Sequence, residues 1–87
     1  MSRIEKLLLA AREGRLTRFS DLIVLTEALG FVRSRAKKRG SHHIKYSYPH
    51  WRGTLMYQSQ PGGQAAEYQV KQLVKAIDQL GLTIERE

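Results

Sequence analysis

The sequence predicts an α+β fold in which helices cover one face of a three-stranded antiparallel sheet. Three observations predict it. Apolar residues recur at helical spacing before residue 30 and again after residue 66. Between them lie three short runs rich in β-branched and aromatic residues, separated by turn-forming residues. These connections are too short for parallel crossovers, which need about a dozen residues or more, so the strands pair antiparallel and the helices supply the cover. Eighty-seven residues suffice for one small core, so residues 1–87 are read as a single domain.

In residues 3–13, Ile4, Leu7, Leu8 and Ala11 stand at i, i+3, i+4 and i+7, and Gly14 ends the pattern. This is a short amphipathic helix. Ser20 is a suitable N-cap for a second helix, with Asp21 at its positive end and Phe19 placed to staple onto Val24. Its buried stripe is Leu22, Leu25 and Leu29, flanked by Val24 and Ala28, and Gly30 supplies the left-handed residue that closes it. Phe31 to Arg35 is β-compatible, and Ala36 to Ser41, with three consecutive bases and a glycine, suits a hairpin loop. From His43 to Tyr48, apolar Ile44, Tyr46 and Tyr48 alternate with His43, Lys45 and Ser47, which gives a two-faced strand. Pro49 to Gly53 turns the chain, and Thr54 to Gln60 is the third strand, with Leu55 and Tyr57 on one side. Pro61, Gly62 and Gly63 end it. A last helix, residues 67–80, aligns Val70, Leu73, Val74, Ile77 and Leu80, and Gly81 caps it.

Charge is concentrated in the middle of the chain. Between Glu27 and Glu67 there is no acid, while Arg33, Arg35, Lys37, Lys38, Arg39, Lys45 and Arg52 all fall there; the eight other bases are matched by the eight acids, so the net +7 comes from this interval. Such asymmetry is the footprint of a polyanion binder. Without cysteine there is neither a disulfide framework nor a thiolate metal site, which fits a reducing cytoplasm. The apolar run Leu7 to Ala11 is too short for a secretory segment or a membrane span.

The basic run leads into Gly40-Ser41-His42-His43-Ile44. With the helix ending Leu29-Gly30-Phe31 before it and Tyr68-Gln69-Val70-Lys71-Gln72-Leu73 opening the last helix after it, this pattern resembles the HicA toxin family, over a core of about residues 19–82. The resemblance implies a double-stranded-RNA-binding-domain-like α-β-β-β-α fold, here with an extra N-terminal helix. It also implies an mRNA interferase that is neutralised by a HicB-like protein antitoxin. The implied partners are therefore mRNA and that antitoxin, with no membrane and no cofactor.

The chemistry of the residues suits that activity. RNA is cleaved without metal when a base takes the 2′-hydroxyl proton, the oxygen attacks phosphorus in line and an acid protonates the leaving oxygen. Histidine titrates in the right range, and cations stabilise charge on the phosphoryl oxygens. The resemblance assigns the catalytic role to His42, and His43 is its rival: alternation puts His43 on the polar face with Lys45, whereas His42 is in phase with Ile44 and Tyr46. Lys37, Lys38, Arg39 and Lys45 are candidates for holding the RNA backbone, and Gly40 and Ser41 for presenting backbone N–H groups and a hydroxyl to phosphate. Trp51 is the aromatic expected to be exposed enough to stack a base; Tyr46, Tyr48 and Tyr57 are expected in the core. His50 reads as a turn residue, and the three histidines have no metal-ligand spacing. A non-catalytic RNA-binding module of the same fold is the alternative.

Overall fold

The computed structural model describes residues 2–34 and 44–82. Its elements are α1 (Arg3–Arg12), α2 (Phe19–Ala28), β1 (Val32–Arg33), β2 (Ile44–Ser47), β3 (Leu55–Tyr57), a short 3₁₀ turn (Pro61–Gly63) and α3 (Glu67–Leu80). The fold is α+β, in the expected order of two helices, three strands and a helix.

The sheet is antiparallel with β2 in the centre. Val32 pairs with Ser47 and Arg33 with Tyr46 on one side; Ile44 pairs with Tyr57, Lys45 with Met56 and Tyr46 with Leu55 on the other. Directly paired residues share a face, so this register sorts the side chains. Ile44, Tyr46, Leu55 and Tyr57 turn toward the helices, where the last three are fully buried. Lys45, Met56 and Val32 are exposed on the opposite, open face.

The helices owe their burial to the predicted stripes. Leu22, Leu25 and Leu29 of the second helix region and Val70, Leu73, Ala76 and Ile77 of α3 meet the aromatic face of the sheet in one core, with Ile4, Leu7 and Leu8 of α1 packed against it. Ala11 is the one buried residue of α1, so α1 lies on the outside of the helical layer. Ion pairs Arg3–Asp21 at 3.7 Å and Arg12–Asp78 at 3.0 Å join it to the other helices. Exposed pairs of this kind contribute about 0–1 kcal/mol, so the apolar contacts hold α1 in place.

Caps account for the helix ends. Ser2 accepts from the Glu5 N–H at 3.2 Å, a Ser-x-x-Glu start that the sequence carries and periodicity alone overlooks. After α2, the Gly30 N–H donates to the Glu27 carbonyl and the Phe31 N–H to that of Thr26, a Schellman closure that needs the left-handed φ of +99° at Gly30. The same pair of bonds follows α1 and α3.

Two details of α2 differ from expectation. The helix begins at Phe19 with Arg18 as its N-cap, not at Ser20. Arg18 is held extended in a bridge to Gln64, and the neighbouring Ala65 N–H donates to Thr17 at 2.8 Å, so a long-range pairing fixes where helix can start. Phe19 consequently packs edge-on to Tyr57, with ring centroids 6.4 Å apart. Ala28 is exposed, and Thr26 is buried in the stripe instead. The third strand also stops at Tyr57, because Gln60 bridges Gln64 across the 3₁₀ turn rather than extending the sheet.

Candidate functional site

The candidate site is framed by β1 and β2. Beyond their paired residues the Ser34 N–H donates to the Lys45 carbonyl at 2.8 Å, which ties the chain before residue 35 to the chain after residue 43. Lys37, Lys38, Arg39, Gly40, Ser41, His42 and His43 lie outside the described residues, as does Arg35. Of the residues expected at the site, Lys45 is the one described. Its side chain is exposed on the open face, beside Met56 of β3. Arg33 and Arg52 are exposed as well, Arg33 on β1 and Arg52 in the turn after β2. Arg33 pairs with Tyr46 and so belongs to the helix-side face, where Glu27 also stands. No described residue from Ala28 to Ala66 is acidic, so no acid of these strands or turns stands beside Lys45 on the open face.

Beneath the sheet are polar contacts that the sequence reading missed. Tyr46, opposite Arg33, donates its hydroxyl to Oε2 of Glu27 on α2 at 2.5 Å. Burial is the first cause that raises the Tyr46 phenol pKa, and the bond to Glu27 and the carboxylate charge add to it, while Arg33 acts in the opposite direction. Tyr57 lies 2.9 Å from Oγ1 of Thr26, which gives its own proton to the Leu22 carbonyl at 2.7 Å. Donor counting therefore makes Tyr57 the donor to Thr26. Burial raises the Tyr57 pKa and the nearby Tyr46 adds to it; Thr26 acts in the opposite direction only by turning its hydroxyl away from Leu22 to donate to the phenolate. A buried tyrosine requires a hydroxyl partner. That rule, applied to two strand tyrosines facing α2, points to the helix's polar residues, Thr26 and Glu27. Gln69, on the first turn of α3, is also buried, with Nε2 3.3 Å from the Tyr68 hydroxyl and Oε1 unpartnered among the described residues.

The aromatic residues of β2, β3 and the turn between them serve packing. Tyr46 and Tyr57 have no exposed surface. Tyr48 and Trp51 pack edge-on to Phe31, with centroids at 5.1 and 5.9 Å. Trp51 is thus not the free stacking platform expected from its polar surroundings: the turn folds back, its N–H donates to the Tyr48 carbonyl at 3.1 Å, and its ring covers Gly53 where a side chain would collide. His50 sits in this turn with a left-handed φ of +63°. The open face exposes Val32, Lys45 and Met56, an aliphatic and cationic surface that can bind a polyanion through phosphate contacts.

Among the described residues, no three His, Asp or Glu side chains converge to hold a metal ion, and no helix is long and apolar enough to cross a membrane. Compared with protein-family models, with curated proteins and with solved structures, the chain shows no match.

Proposed function

We propose that this chain is a HicA-like endoribonuclease toxin that binds mRNA through its basic central segment and cuts it with a histidine of Gly40-Ser41-His42-His43. One juxtaposition carries the reading. This tetrapeptide runs directly into β2, the central strand, whose open face carries Lys45 in a stretch free of acids. The α-β-β-β-α order that the resemblance implies supports it, with α1 as an addition in front.

In this reading His42, or His43 in its place, accepts the 2′-hydroxyl proton; the 2′ oxygen bonds to phosphorus as the bond to the 5′ oxygen breaks, and that oxygen takes up a proton. The products are a 2′,3′-cyclic phosphate and a free 5′-hydroxyl. Lys37, Lys38, Arg39 and Lys45 hold the RNA backbone and offset the charge on the phosphoryl oxygens. The toxin is held in check by a HicB-like antitoxin, and it works in the cytoplasm.

The test is incubation of purified mRNA with the purified chain in EDTA, with product ends analysed. Fragments ending in cyclic phosphate support the proposal. Salt-dependent binding without cleavage makes the chain an RNA-binding module instead.

A further inference from the structure

A groove of about 700 Å³ runs between α3 and the end of α1 with its following connector, on the helical side of the molecule and away from the open sheet face. Ala11, Leu16, Val70 and Val74 make its floor apolar, and Arg12, Lys71 and Lys75 stand along its rim. We infer that this groove binds an acidic amphipathic helix of a partner protein. The inference goes beyond the nuclease reading and does not depend on it.

Length, backbone chemistry and charge point to this occupant. The α3 residues that line the groove run from Glu67 to Gln79, and Val70, Lys71, Val74, Lys75 and Asp78 between them recur at spacings of three and four. They make a wall of about 18 Å at the rise of a helix, which matches a partner helix of about three turns. A β-strand peptide would need a free strand edge to pair with. This wall is a helix, and on the connector the Arg15 N–H and the Thr17 carbonyl already bond to Ala10 and Ala65. A helix, which pairs its own backbone, needs no such edge. The acids on the rim are already engaged, Asp78 with Arg12 at 3.0 Å and Glu67 with Lys71 at 3.2 Å. Lys75 has no acidic partner among the described residues, so the rim carries an unmatched cation above an apolar floor. Carboxylates beside the apolar stripe of a partner helix complement it. The arrangement also gives α1 a role, because its end builds one wall of the groove.

The test uses the full chain and two synthetic twelve-residue helical peptides. Both carry leucine at i, i+3, i+4 and i+7; one is flanked by glutamate and the other by lysine. The expected result is binding of the glutamate peptide, with amide NMR shifts centred on Ala11, Leu16, Val70 and Val74. The exposed double substitution Lys71→Glu/Lys75→Glu weakens it about tenfold and turns the preference toward the lysine peptide. Thr17→Trp, also at an exposed position, blocks both peptides without lowering the melting temperature. No binding at millimolar peptide, equal binding of both peptides, or shifts centred elsewhere overturns the inference. Self-association of the free chain that Thr17→Trp abolishes assigns the groove to a second copy and overturns it too. No arm uses RNA, so the outcome is separate from success or failure of the nuclease reading.

Discussion

The Ser34 N–H donates to the Lys45 carbonyl at 2.8 Å, so the chain before position 35 and the chain after position 43 meet at neighbouring places on the sheet. Lys45 uses its backbone to hold this closure, while its side chain stands on the open face. Its charge is therefore removable without loss of fold. Lys45→Ala is expected to leave the circular dichroism unchanged, to weaken RNA binding for all sequences alike and to reduce the slope of log affinity against log salt by about 1. An unaltered slope would remove Lys45 from the interface.

Tyr57 and Thr26 are a buried donor and acceptor, and the two ends are not equivalent. Thr26→Val leaves the Tyr57 hydroxyl unsatisfied and is expected to cost about 1–3 kcal/mol. Tyr57→Phe leaves Thr26 still bonded to Leu22, at a cost of about 0.5–1.5 kcal/mol. Urea unfolding of the double variant should show less than the sum of the two, because neither partner is then stranded.

Stability should fall at alkaline pH for the same reason. Both buried tyrosines have pKa values raised above the ordinary phenol value of 10.0. Below that value the folded and unfolded chains carry the same protons at these sites. Above it the unfolded chain loses phenolic protons that the folded chain retains, so unfolding is favoured as pH rises. Each tyrosine contributes at most about 1.4 kcal/mol per pH unit, and Tyr46 less, because its hydroxyl reaches an exposed carboxylate. Melting temperatures should hold level from pH 7 to about 9 and drop beyond 10. Tyr57→Phe should flatten that drop.

Gly53 and Trp51 make the turn after β2 a single unit. A methyl group on Gly53 would overlap the indole, so Gly53→Ala must displace Trp51 from its edge-on seat on Phe31. The expected result is red-shifted tryptophan fluorescence and a loss of about 1–3 kcal/mol. Unchanged emission would show that the ring is seated elsewhere.

Much of this architecture is legible locally. The stripe at Val70, Leu73 and Ile77 and the glycine after it mark α3 and its end, and the alternation of Ile44, Lys45 and Tyr46 assigns both faces of β2. What escapes are features set by distant parts of the chain. The start of α2 depends on Arg18 meeting Gln64, forty-six positions away. Trp51 looks exposed in its polar turn until Phe31 is brought beneath it. Thr26 reads as a neutral helix residue until Tyr57 needs an acceptor. At the candidate site, the histidines and the Lys37–Arg39 run are legible as chemistry in the sequence, and the described structure carries Lys45 on β2, two positions beyond His43.

The most direct measurement is cleavage of purified mRNA in EDTA by the wild type, His42→Ala and His43→Ala, with folding checked by circular dichroism. The account predicts that the wild type yields cyclic-phosphate ends and that one of the two substitutions, His42→Ala first, abolishes them while the other retains them. Cleavage that survives both substitutions, or a folded wild type that binds the RNA and never cuts it, would contradict it.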